Sequence, residues 1–102
     1  MLDLNHKKLD VWTLSIELIA EIYRITRNFP KEELFGITSQ LRRASVSVAS
    51  NIAEGSSRKS KLERRRFFEI SKSSLVEIDT QLEISSVLSL VTVQQIDKLK
   101  KC

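Results

Sequence analysis

His6 and Cys102 are the only imidazole and the only thiol in the chain, and they stand at its opposite ends. Nucleophilic catalysis needs a thiol or hydroxyl beside a base. His6 lies in a polar N-terminal arm and reads as a surface residue; Cys102 has no obvious base nearby and reads as an end-of-chain thiol. The carboxylate pairs Glu32–Glu33 and Glu77–Asp79 have ordinary helix-surface spacings rather than those of an acid–base dyad. Glycine-rich phosphate loops and paired-histidine metal motifs are absent from the sequence. No catalytic residue, metal, cofactor or small-molecule substrate is expected, and the chain does not read as an enzyme.

The chemistry that remains is positive charge. The stretch RKSKLERRR, residues 58–66, holds six Arg or Lys against one Glu, so a net +5 sits there while the whole chain carries +4. Arg58, Lys59, Lys61, Arg64, Arg65 and Arg66 surround and follow a predicted helix start. A helix N-terminus already bears about half a positive charge, and cations there cost about 0.3–1 kcal/mol each. Three readings compete: a solvated face that aids solubility, a surface that contacts phosphates, or a subunit contact. Free backbone N–H groups and arginine forks both suit phosphate oxygens. Arg42 and Arg43, upstream, are a second tier of the same surface. No aromatic residue interrupts the run before Phe67 and Phe68, which read as core. Contact with nucleic acid would therefore be backbone-directed and weakly sequence-specific. Glu54, ending the preceding helix, is expected to pair with a nearby arginine.

The elements that must carry these residues are helices. Two glycines and one proline are too little punctuation for a turn-rich β architecture. From Leu9 to Phe29 two apolar seams alternate steps of three and four: Leu9, Trp12, Ile16, Ile19 and Tyr23, then Leu14, Leu18, Ile22, Ile25 and Phe29. Trp12 and Tyr23 read as core anchors. Polar Glu17, Glu21, Arg24 and Arg27 fill what is left, with Glu21 three residues before Arg24 at a helical pair spacing, and Pro30 stops the helix. SVSVAS, residues 45–50, alternates as a strand would. The longer window shows apolar stripes rich in small residues instead, Leu41, Ala44, Val48 and Ile52 beside Val46, Ala49 and Ala53, and predicts a helix ending at a left-handed Gly55 cap. Ser60–Glu63 and Thr92–Gln95 are capping-box patterns that open two more helices. One face of the third carries Phe67, Ile70, Ser74, Ile78, Gln81 and Ser85, and an adjoining one Leu75, Ile78, Leu82 and Leu88. The expected fold is all-α: a single domain over 1–102, an antiparallel up-down four-helix bundle with helices near 9–29, 37–54, 61–88 and 93–102, the last one short or truncated. The arm MLDLNHKKLDVW has no signal-like apolar core, no apolar run nears a membrane span, and one cysteine permits no internal disulfide. A cytoplasmic protein is expected.

FGITSQLRRASVSVASNIAEG, residues 35–55, resembles the signature of a bacterial family of four-helix-bundle proteins encoded by intervening sequences within 23S ribosomal RNA genes. Related members serve as accessory proteins of diversity-generating retroelements. LDVWTLSIELIAEIYRITRNFPKEE, residues 9–33, is similar to the family's first helix, and RRFFEISKSSLVEIDTQLEIS, residues 65–85, to its third. The resemblance implies a bundle that assembles into a ring-like homopentamer and a binding rather than catalytic activity, with RNA or DNA as possible partners. It implies that Arg42, Arg43, Asn51, Glu54 and Gly55 form the motif region, with anion contact by the basic residues after it. It also implies a fourth helix longer than Thr92–Cys102, and a subunit interface that Ser74, Gln81 and Ser85 line.

Overall fold

A computed structural model describes residue 2 and residues 4–100. Among the described residues four α-helices follow one another: α1 (Asp10–Thr26), α2 (Ile37–Ser57), α3 (Lys61–Val87) and α4 (Val93–Lys100). Short 3-10 turns at Asn5–Lys8 and Lys31–Glu33 precede α1 and α2. Cys102 and the expected end of the last helix lie outside the described residues. Among the described residues, no helix is long and apolar enough to cross a membrane.

The helix ends show which local signals decide. At α1 the regular ladder stops at Thr26, three residues before the expected limit, because Asn28 and Phe29 donate instead to Ile25 and Thr26 three residues back, at 3.3 and 3.0 Å. Pro30 then takes extended backbone, with φ −57° and ψ 149°. At α3 the Ser60 oxygen accepts from the Glu63 N–H at 3.2 Å. The box at α4 is reciprocal: Gln95 N–H donates to Thr92 Oγ1 at 3.2 Å, and Thr92 N–H to Gln95 Oε1 at 2.9 Å.

Two ends differ from expectation. Gly55 caps nothing: α2 continues to Ser57, and no glycine in the described residues has a positive φ. Gly55 is instead buried where α2 meets α3, and a Cβ there would stand 2.9 Å from Phe68 Cε1 and 3.2 Å from Phe67 Cβ. Its smallness sets how closely the two helices approach. The left-handed residue is Ser89, with φ 60°. Leu90 N–H bonds back to Ser85 O at 2.8 Å and Ser89 N–H to Ser86 O at 3.0 Å, which is a Schellman closure built without glycine.

The core gathers Ile22, Ile25 and Phe29 of the first helix and its exit, Leu41, Ala44, Val48 and Ile52 of α2, Ile78 and Leu82 of α3, and Val91. Its buried α1 residues all come from the C-terminal half of one seam, with Leu18 and Trp12 packed partly buried against them. In the other seam, Ile16 and Tyr23 are exposed and Trp12 is half-buried, because α2 occupies only one side of α1. Tyr23 is thus no core anchor. Ile70 and Leu75 of α3 also face outward, while Ser71, Ser74, Gln81 and Ser85 are buried within the chain. Ser71 donates to Val48 O at 2.8 Å and Ser74 meets Ser47 at 2.9 Å, so serines bind α3 to α2. Ser74, Gln81 and Ser85 therefore serve the interior rather than an outer interface. On the far side, Val11, Leu14 and Leu18, the floor residues Val48 and Ile52, and Phe68, Lys72 and Leu75 line an open apolar groove of about 570 Å³.

Candidate nucleic-acid interface

The basic segment spans the end of α2, the link and the first two turns of α3. Packing gives its six cations unequal environments. Arg58 is the residue that ends α2, where a cation complements the dipole rather than opposing it. Its guanidinium bonds the Glu54 carboxylate at 3.0 Å and lies over the Phe67 ring at 4.9 Å. The expected Glu54 pair is therefore present, and its partner is Arg58. Arg64 reaches back across the link, its Nε donating to Arg58 O at 2.7 Å. It satisfies a carbonyl that the end of α2 leaves free.

Lys59, Lys61, Arg65 and Arg66 are exposed, and no partner faces any of them among the described residues. Lys61 is the first residue of α3 and Lys59 lies just before its cap; these two carry the dipole cost. Arg65 and Arg66 stand in the second turn, beyond the reach of that field. The electrostatic strain expected of six side chains belongs to two. What the segment offers is four exposed, unpaired cations over the link and the first two turns of α3.

Arg42 and Arg43 do not extend it. Arg43 and Arg58 stand fifteen positions apart along α2, about 22 Å at the helical rise, and salt at 0.1 M screens charge over about 10 Å. Arg42 is half-buried, its Nε donating to Thr26 Oγ1 at 2.9 Å and its guanidinium 4.6 Å from the Tyr23 ring centre. It ties α2 to α1. Arg43 is exposed beside it, at the rim of a separate hollow shared with Tyr23, Leu34, Phe35, Thr38 and Ser39. Sequence reasoning passed over Phe35, Ser39 and Arg43 as a group, although their spacing of four was there to be read.

His6 lies in the first 3-10 turn, half-buried with its ring edge-on to Trp12 at 5.3 Å. The Glu21 carboxylate bonds Arg24 and, by that hydrogen bond first and by its charge second, raises the guanidinium above its ordinary pKa. Neither pair belongs to the basic segment. No group of three His, Cys, Asp or Glu side chains converges as a metal site among the described residues.

No match is found among curated proteins. Over residues 7–102 the chain matches the family model of the 23S rRNA-intervening sequence protein, and it belongs to that family.

Proposed function

We propose that this protein is a non-catalytic, homo-oligomeric scaffold, its helices running up and down in antiparallel order, that binds RNA or DNA through phosphate contacts. The observation that carries this reading is the set Lys59, Lys61, Arg65 and Arg66, exposed and without a protein partner. Folding gains nothing from Lys61 at the start of a helix, whereas a phosphate placed there meets free N–H groups and charge together. Oligomerisation is supported by apolar side chains that one chain leaves uncovered, Ile16, Ile70, Val76 and Val87 among them. By the family's pattern the assembly is a pentamer, and a ring would repeat the basic segment around its axis. The setting is the cytoplasm.

Replacing Lys59, Lys61, Arg65 and Arg66 by Gln tests the reading, with Arg58 and Arg64 retained because they hold the link. Removing one phosphate-bound cation lowers the slope of log affinity against log salt by about 0.7–0.9. The expected result is a slope flatter by roughly two to four at unchanged helicity. An unchanged slope refutes the assignment. A second reading, a scaffold for another protein, is favoured by the apolar groove between α1 and α3. It predicts no retention on either polyanion.

A further inference from the structure

The start of α2 is uncapped: Gly36 supplies no side-chain bond, and the first intrahelical bond runs from Gln40 N–H to Gly36 O at 3.1 Å. The amides of Ile37, Thr38 and Ser39 are left without helical acceptors. A hollow of about 420 Å³ opens there. One wall is Thr38, 2% exposed, whose Oγ1 is buried and finds no hydrogen-bond partner. A second wall is Arg42, held by Thr26 and Tyr23 so that its guanidinium is already oriented. Ser39 and Arg43 follow at the spacing of one helix face, and both are exposed. At the mouth stands Phe35, 94% exposed, the most exposed large apolar side chain of the described residues. The opposing charge is Glu33, whose Oε2 comes within 3.4 Å of the point a Gly36 Cβ would occupy.

From this arrangement we infer that the hollow takes one unpaired nucleotide, its phosphate at the α2 N-terminus between Ser39 and Arg43 and its base stacked on Phe35. The uncapped amides, the dipole and the arginines favour an anion. An aromatic ring bared to water beside them favours an anion that carries a planar ring. A base stacks on such a ring only when it is unpaired. The inference rests on the nucleic-acid reading for the source of the nucleotide, but uses none of the residues that carry that reading. It assigns single strands over duplexes.

The test compares a fluorescein-labelled thymidine strand of about ten nucleotides with an abasic strand of the same length, which keeps the phosphates and removes the bases. The parent is expected to prefer the thymidine strand. Phe35→Ala should weaken binding of that strand about 5- to 100-fold and leave the abasic strand unaffected. Arg43→Gln should weaken both, and Glu33→Gln should strengthen both. Phe35 is almost wholly exposed, so folding survives its removal, which circular dichroism checks. A preference for the thymidine strand that persists in Phe35→Ala overturns the inference. So does a variant whose only change is its oligomeric state, since Phe35 would then cover a subunit contact. Thymidine monophosphate separates the sources: full competition assigns a free nucleotide, and competition only at large excess assigns a strand. If the Lys59, Lys61, Arg65 and Arg66 variant binds as the parent does while Phe35→Ala does not, the basic-segment reading falls and this one stands. The reverse pattern sinks this one alone.

Discussion

Gly55→Ala should destabilise the protein, although alanine is the better helix former. Gly55 lies inside α2, so the methyl group brings a propensity gain of about 0.8–1 kcal/mol. Against this stands the local geometry. The new Cβ would lie 2.9 Å from Phe68 Cε1, 3.1 Å from Phe68 Cδ1 and 3.2 Å from Phe67 Cβ. The Phe68 ring, 40% exposed, can swing outward and give up part of its packing over the groove. Phe67 Cβ is fixed to the α3 backbone and yields only if the two helices separate. Forcing a methyl group into so tight a space costs about 1–3 kcal/mol. The overpacking outweighs the propensity, and the net loss is about 1 kcal/mol. Urea unfolding followed by far-UV circular dichroism at fixed protein concentration measures it, since stability of an oligomer depends on concentration. The midpoint falls at unchanged m-value, and the melting temperature drops by about 4–8 °C. In a Phe68→Leu background, where the ring is gone, the same change should cost less. A Gly55→Ala protein that melts at or above the parent refutes the claim that this glycine sets the α2–α3 distance.

Other single sites carry their own expected outcomes. Ser89→Gly should raise stability by about 1 kcal/mol in the same assay, because a left-handed φ of 60° is costly for any residue with a Cβ. Lys61→Gln should raise stability by about 0.3–1 kcal/mol at low salt, and the gain should vanish at high salt. Arg64→Gln should lower it by about 0.5–1.5 kcal/mol, since the bond to Arg58 O disappears; equal signs for the two would refute the division of the basic segment. Gln81→Met should be neutral or stabilising by about 1 kcal/mol, because its buried Oε1 has no partner to lose.

The unequal environments of the basic segment explain why its sequence overstated the case. Six cations near a helix start look uniformly misplaced when only order along the chain is known. Arg58 belongs to the end of the preceding helix and Arg64 turns back to it, and both facts depend on how the link folds. The same limit hid the hollow at the start of α2. Phe35 and Arg43 are eight residues apart, and nothing local says that Tyr23 and Arg42 wall the same space.

Residue order alone was enough for whatever interactions within about one helical turn decide. The Ser60–Glu63 and Thr92–Gln95 boxes, a chain that has left the helix by Pro30 and the helical resolution of SVSVAS all follow from neighbours three or four residues away. The family signature is likewise a matter of residue order. Helix packing settled which faces are covered, why Gly55 is small, that Ser89 takes the left-handed turn and which cations stay free. Those outcomes depend on how closely the helices approach and how they cross, and side chains far apart in the chain set both together.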